Sequence, residues 1–321
     1  MCIRDRSTET AEVIFGPGSL IYGSDAIGGV MDFHTLDARF SKDKKMQVRG
    51  SVLSRYSTAN KENTIHADIN LGWKKWSVLS SFSFSKFDDL KMGGNGGQDS
   101  YLRPEYVERV NNTDNIVQNS NPRIQRFSGY DQTNFLQKIC FKPNENWDLQ
   151  YSFTYAKTGD APRYDRLIQY RNGALRFAEW YYGPMKWNMH NLQILNSKKT
   201  SVYDDARLTV AYQDYEESRI DRTRANNNRN RQVELVDAIS ANWDATKTVG
   251  KGEIFYGLEY VHNKVGSFGE RTNISTNIAT PMVSRYPDGS TSVSYTHLRA
   301  HETVLDLVCR LLLEKKKTDN N

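Results

Sequence analysis

Beyond residue 45 the chain alternates apolar and polar positions with a period of two. Val48, Gly50, Val52, Ser54 and Tyr56 fall on one face of a first stretch, and Gln47, Arg49, Ser51 and Arg55 on the other. A second stretch sets Ile65, Ala67, Ile69 and Leu71 against His66, Asp68 and Asn70. A third runs from Trp76 through Val78, Phe82 and Phe84, and a fourth covers 134–142. The fifth is the most regular, with Trp147, Leu149, Tyr151, Phe153 and Tyr155 opposite Asp148, Gln150, Ser152, Thr154 and Ala156. Further stretches lie near 186–196, 206–216, 232–243 and 252–263. Alternation of this kind predicts two-faced β-strands. Their length matches the ~9–11 residues of a membrane-crossing strand and exceeds the ~5–6 usual in soluble sheets.

The connections carry a second regularity. Gly72 to Lys75, Pro143 to Asn146, Ser197 to Tyr203 and Asp244 to Lys251 are short, whereas 88–132, 159–184 and 217–231 are long and polar. Short periplasmic turns alternating with long external loops are the habit of outer-membrane barrels. The aromatic residues Tyr56, Trp73, Trp76, Trp147, Tyr155, Trp243 and Tyr260 stand near strand ends, as an interfacial girdle requires; the β-propensity of aromatics is the alternative for any one of them.

Composition agrees with this reading. Hydrophobic residues make up 38% of the 321, with 18 Tyr and 6 Trp, yet no apolar run reaches the ~18 residues of a transmembrane helix. The net charge of +5 is small for this length and makes no case for nucleic acid as a partner.

Both ends have a foreign character and are set aside from the fold. Residues 1–6, beginning Met1-Cys2-Ile3-Arg4-Asp5, resemble a translated transposon end of the kind used to prepare sequencing libraries. Residues 293–303 resemble the complementary adapter in another frame and 304–317, ending Lys315-Lys316-Lys317, the rest of it, so that 293–321 is set aside as a tail. An amphipathic helix over Leu305–Leu313 is the rival reading of that tail. Without the ends, 36 basic residues face 33 acidic ones, and Cys140 stands alone, so no internal disulfide is available.

Residues 12–35 read EVIFGPGSLIYGSDAIGGVMDFHT. They predict a strand over Val13–Phe15, a Gly-Pro-Gly turn, a short helical turn ending at a glycine pair, and a strand over Val30–Thr35. Nucleotide binding is excluded: the third glycine of a dinucleotide motif is missing, Pro17 removes a donor, and no Gly-Lys-Ser/Thr follows. Gly16, Pro17, Ser19, Tyr22, Gly23, Ala26, Gly28, Gly29, Val30 and Thr35 match the pattern that closes the plug domain of TonB-dependent outer-membrane receptors, which this segment resembles. Phe15 departs from it, because the family often carries Arg there.

That resemblance implies an all-β fold: residues 7–36 as the end of a plug, and 37–292 as about nine strands of a larger, roughly 22-stranded antiparallel transmembrane barrel. It implies residence in the outer membrane of a Gram-negative bacterium, surrounded by lipid. It further implies capture of a small-molecule or haemoprotein ligand outside, with import driven by an inner-membrane TonB-type energy-coupling complex. The cargo expected is an iron compound, haem or a ferric siderophore, with no cofactor for chemistry and no enzyme activity. Most of the plug and the coupling segment are expected before residue 7, and the later strands after 292. A passive barrel or adhesin, which the plug motif disfavours, and a secreted all-β glycan-binding module are the alternatives.

Two segments of the second long connection combine charge with aromatic rings: Arg163, Tyr164, Asp165 and Arg166 in one, Glu179, Trp180, Tyr181 and Tyr182 in the other. Such a surface suits stacking on flat ligands and pairing with carboxylates. The pair resembles loops of haem- and haemoglobin-uptake receptors; a structural loop whose Arg and Asp pair with each other is the alternative. His34, His66, His190 and His262 lack metal-ligand spacing and read as lumen-facing or turn residues, with His190 the candidate haem contact. Asp88, Asp89 and Asp99 beside Gly93–Gly97 do not follow an EF-hand pattern and read as an external loop, and Asn226–Arg231 as a solvated loop tip.

Overall fold

The computed structural model describes residues 7–16, 28–43, 45–94, 102–250, 252–287 and 289–301, with the backbone alone for 290–301. The expected plug end is a two-stranded antiparallel sheet of β1 (Thr8–Phe15) and β2 (Gly29–Thr35). Two glycines shape its mouth: Gly16 adopts φ +99°, and Gly29 adopts φ +146° where a Cβ would meet Ile14 O at 2.6 Å. The helical turn expected between them, with Pro17, Ser19, Tyr22, Gly23 and Ala26, lies outside the described residues.

The nine long strands anticipated from the alternation are β3 (Gln47–Ser57), β4 (Glu62–Gly72), β5 (Trp76–Phe87), β6 (Tyr130–Asn144), β7 (Trp147–Thr158), β8 (Met185–Asn196), β9 (Asp205–Thr223), β10 (Asn228–Val249) and β11 (Gly252–Asn273). Each pairs antiparallel with its sequence neighbours in a strict up-and-down meander. The far edge of β11 is covered twice, by Ile278–Met282 above and by β12 (Gly289–His301) below. The strand β12 thus includes residues 293–301 of the segment set aside as foreign; the helix considered for Leu305–Leu313 lies outside the described residues.

The distribution of polarity is inverted relative to a water-soluble sheet. Val52, Ile65, Ile69, Phe82, Ile139, Tyr151, Leu192, Val210 and Ile239 all lie exposed on one face, Val52 at 82%. Thr64, His66, Asn70, Ser77, Ser81, Ser83, Asn134, Lys138 and Ser152 are buried on the other. An exposed apolar face this continuous needs a non-aqueous partner. Moving one such side chain out of water is worth roughly 1.5–3 kcal/mol. Trp73, Trp76 and Trp147 cluster near the short turns, with Trp76 stacked on Phe141 at 4.2 Å.

The polar face holds the hairpin of β1 and β2. Lys138, 5% exposed, donates from Nζ to Thr35 O at 3.2 Å and lies 3.5 Å from Asp37 Oδ1. Ser7 and Ser81 share a hydrogen bond of 3.0 Å, and the following linker is held where Arg39 N donates to Asn70 Oδ1 and Ser77 Oγ donates to Arg39 O. The sheet therefore has an inside and an outside, and the hairpin marks the inside.

One expectation about the connections is corrected. The stretch 217–231 is not a loop: β9 and β10 run on, with Asp221 still paired to Asn230, and only a tip near Arg224–Asn227 turns. The segment is polar on both faces, so it shows no hydrophobic alternation although it is strand. Asn226–Arg231 is likewise only partly a solvated tip, since Arg229 bonds Glu179 and Arg231 lies over the Phe268 ring.

Candidate functional site

The two long connections and the raised ends of β9 and β10 meet at the end of the sheet opposite the short turns. The first connection carries a hairpin of Glu105–Val110 and Thr113–Gln118. The second carries a four-residue helix, α1 (Tyr164–Leu167), and a strand, Phe177–Tyr182, that pairs with the upper part of β9.

An ion network pins these pieces together. Arg222, 2% exposed, forks onto Asp114 through Nη1 at 2.6 Å and Nη2 at 3.0 Å, while its Nε donates to Glu179 Oε1 at 2.8 Å. Asp114 is fully enclosed and also accepts from Arg109 Nη1 at 3.1 Å and Ala225 N at 2.9 Å. Glu179 accepts a second bond from Arg229 Nε at 2.6 Å. Burial alone raises the affinity of both carboxylates for protons. The guanidinium hydrogen bonds, with the Ala225 N–H at Asp114, overcome it, and both carboxyls sit below the usual carboxylate range.

Beside this network stands a guanidinium–aromatic stack. Trp180, 7% exposed, packs with Leu167, Phe177 and Tyr182. Arg163 lies over the Trp180 ring at 5.0 Å and Arg219 at 5.6 Å. Arg163 is held by Asp165 through bonds of 2.9 and 2.8 Å, and its backbone N donates to Trp180 O at 3.0 Å. The site residues named from sequence thus divide. Arg163, Asp165, Trp180 and Tyr182 form one unit, with Tyr164 and Arg166 on α1 beside it. Glu179 belongs to the ion network, and Tyr181 lies paired to Ile220 and Pro162.

His190 is elsewhere. On β8 it pairs with Phe153 and Tyr212, its Nδ1 is 2.8 Å from Tyr151 Oη, and its ring is 4.8 Å from Phe153. Those partners stand on the outward apolar face, so the expectation that His190 faces the lumen is corrected. His66 does face inward, bonded to Ser83 Oγ at 2.8 Å. Asp88 lies 3.7 Å from Lys61, and Asp89 accepts from the N–H groups of Ser128 and Gly129, so both are engaged; Asp99 lies outside the described residues.

Arg103, Arg109, Asp114, Phe127, Arg219, Arg222 and Arg229 were not singled out from the sequence. Each is a polar or lone aromatic residue inside a polar stretch, and their pairing spans up to 166 residues, so no local pattern marks them. A cavity of about 360 Å³ also opens on the inner face, with Glu62, Thr64, Ser85 and Gln132 in its wall, the Arg55–Glu62 pair at 3.6 Å, and Tyr130 tilted against Phe87.

With no closure of the sheet among the described residues, an apolar outside, and a hairpin on the polar inside, the fold is an arc of a large up-and-down β-barrel. No protein-family model and no curated protein matches the chain. Solved structures do. The copper transporter OprC superposes with a TM-score of 0.61 at 14% identity, over 86% of this chain and 37% of that one. The FrpB iron transporter from Neisseria meningitidis gives 0.57 at 14% identity, over 91% and 49%. The ferric yersiniabactin uptake receptor FyuA from Yersinia pestis gives 0.51 at 10% identity, over 89% and 48%. These are TonB-dependent outer-membrane receptors. At such identities the likeness is one of fold, and the chain spans less than half of each. The expected all-β architecture, a partial antiparallel barrel, is borne out.

Proposed function

We propose that this chain is the end of the plug and the first wall strands of a TonB-dependent receptor in the outer membrane of a Gram-negative bacterium. The receptor takes up a scarce ligand, an iron compound such as a ferric siderophore or haem, drawing energy from the inner-membrane complex. Its work is binding and gated passage, with no covalent step and no cofactor for chemistry. The observation that carries this reading is the plug hairpin seated on the polar face of a sheet whose other face is apolar, through Lys138 to Thr35 and Ser7 to Ser81. A lipid-embedded wall with a gate inside it has that arrangement, and a secreted glycan-binding sheet has no use for it.

Ligand capture falls to the external assembly around Arg163, Tyr164, Trp180 and Tyr181, where guanidinium and aromatic groups suit a flat or anionic iron chelate. Gly16, Pro17, Ser19, Tyr22, Gly23, Ala26, Gly28 and Gly29 carry the sequence motif assigned to the end of the gate. The test is uptake of radiolabelled ferric siderophores and growth on haem by cells carrying the receptor, with and without a working energy-coupling complex. Uptake that depends on the complex supports the reading. Passage that continues at the same rate without it marks a passive barrel.

A further inference from the structure

Two arginines of the external assembly are equally buried, at 2% exposure, and the fold treats them in opposite ways. Arg222 is answered by two carboxylates and by the carbonyl of Asn226. Arg103 keeps Nε and Nη1 enclosed with no hydrogen-bond partner among the described residues. An unpaired buried charge is costly, so proteins rarely keep one without a use. Burial pulls its guanidinium down to about 10, although Tyr164, Asp89 and Tyr170 oppose the shift.

The surroundings hold the cation without neutralising it. The Arg103 guanidinium lies 5.6 Å from the Phe127 ring centre and 5.5 Å from that of Tyr164. It therefore bridges the first and second external connections. Ring contacts engage the faces of a guanidinium and leave its in-plane N–H donors for another group. Phe127 adopts φ +62°, a left-handed conformation that a bulky side chain takes only under constraint. The acid whose field reaches Arg103, Asp89, is already committed to the backbone N–H groups of Ser128 and Gly129, and Arg126 lies 3.8 Å from it. Arg126, next to Phe127, and Arg166, two residues after Tyr164, each enclose an Nε with no hydrogen-bond partner among the described residues, although Asp165 Oδ2 lies 3.9 Å from that of Arg166. Among the described residues no acceptor answers the Nε and Nη1 donors of Arg103.

We infer that Arg103 is an oxyanion-binding site, taking a carboxylate or phosphate group of a ligand at the seam between the first and second external connections. It rests on the reading of this face as the capture surface and adds the chemical class of group recognised there. The bound oxyanion would accept the orphan donors of Arg103 and tie the two connections together.

The experiment is calorimetric titration of the purified receptor in detergent micelles, with sodium benzoate in one arm and inorganic phosphate in the other. Arg103→Gln is compared with Lys91→Gln, which removes one charge from an exposed position of the same connection. Saturable binding of either anion, weakened at least tenfold in R103Q and within twofold of normal in K91Q, is expected, and the tighter arm names the class. Absent binding, or equal affinities in wild type and R103Q, or an equal loss in K91Q, overturns the inference and leaves Arg103 a cation–π clamp. Should R103Q fail to fold, mass spectrometry of wild-type protein treated with phenylglyoxal replaces it. The better-binding anion must then slow modification of Arg103 at least fivefold, and equal modification refutes the site. Binding without energised uptake would sink the transport reading and leave this site standing; uptake without binding would do the reverse.

Discussion

The guanidinium of Arg222 closes on the carboxylate of Asp114, 108 residues earlier in the chain, with two hydrogen bonds of 2.6 and 3.0 Å and both side chains enclosed. That fork fastens a loop hairpin to the raised end of a barrel strand, and Glu179 extends it to the second connection. Removing one member of a buried pair leaves the other charge stranded, at a cost of about 3–5 kcal/mol. Arg222→Met is therefore expected to release the hairpin 105–118 while the wall strands persist. Hydrogen exchange should show that hairpin losing protection with β4 to β8 unchanged. Uniform loss across the wall would show that the network does more than pin loops.

The same network sets a pH dependence. Asp114 and Glu179 titrate below their ordinary range in the folded protein, so their contribution is complete above the unfolded values near ~4. It declines as the pH falls through that range and is lost below the folded values. Hairpin protection should hold level from pH 7 to 5 and drop on further acidification. A drop between pH 7 and 5 would contradict the assignment.

Lys138 reaches from the barrel wall to the hairpin of β1 and β2 and the residue pair after it, at Thr35 O and Asp37. Lys138→Met keeps much of the side-chain volume and removes the tie. Proteolysis at residues 29–37 is expected to rise several-fold while the wall stays resistant, and an unchanged cleavage rate would show the hairpin to be held by other contacts.

The two faces of the wall should respond differently to charge. Phe82 sits mid-strand on the outward face, paired with Ala67 and Phe135. Phe82→Arg there should cost about 2–4 kcal/mol of folding stability in lipid vesicles. Thr154→Arg, on the inward side of β7 beside Leu136 and Met189, should cost under about 1 kcal/mol. Equal costs would mean that the faces have been assigned wrongly.

How much of this was legible depended on what each residue contacts. The alternation from Trp147 to Tyr155 reads directly as a strand because lipid and lumen impose opposite polarity on neighbouring residues. Where β9 and β10 rise beyond the apolar zone, both faces meet water or polar loops, and residues such as Glu217, Arg219 and Asp221 carry no periodic signal though they are strand. Arg163 and Asp165, two positions apart, are readable as a pair. Arg222 with Asp114 is not, because tertiary folding alone brings them together. His190 misleads for a related reason: a polar ring among Tyr151, Phe153 and Tyr212 satisfies its Nδ1 locally and so tolerates the outward face.

The most direct test of the account is the sidedness of the wall. Single cysteines replace Asn226, at an external tip, and Glu145, in a short turn, with the native Cys140 buried in β6. Intact cells bearing the protein are then treated with a membrane-impermeant maleimide. The account predicts labelling of N226C on intact cells and of E145C only after the outer membrane is permeabilised. Equal labelling of both on intact cells, or labelling of E145C alone, would contradict it.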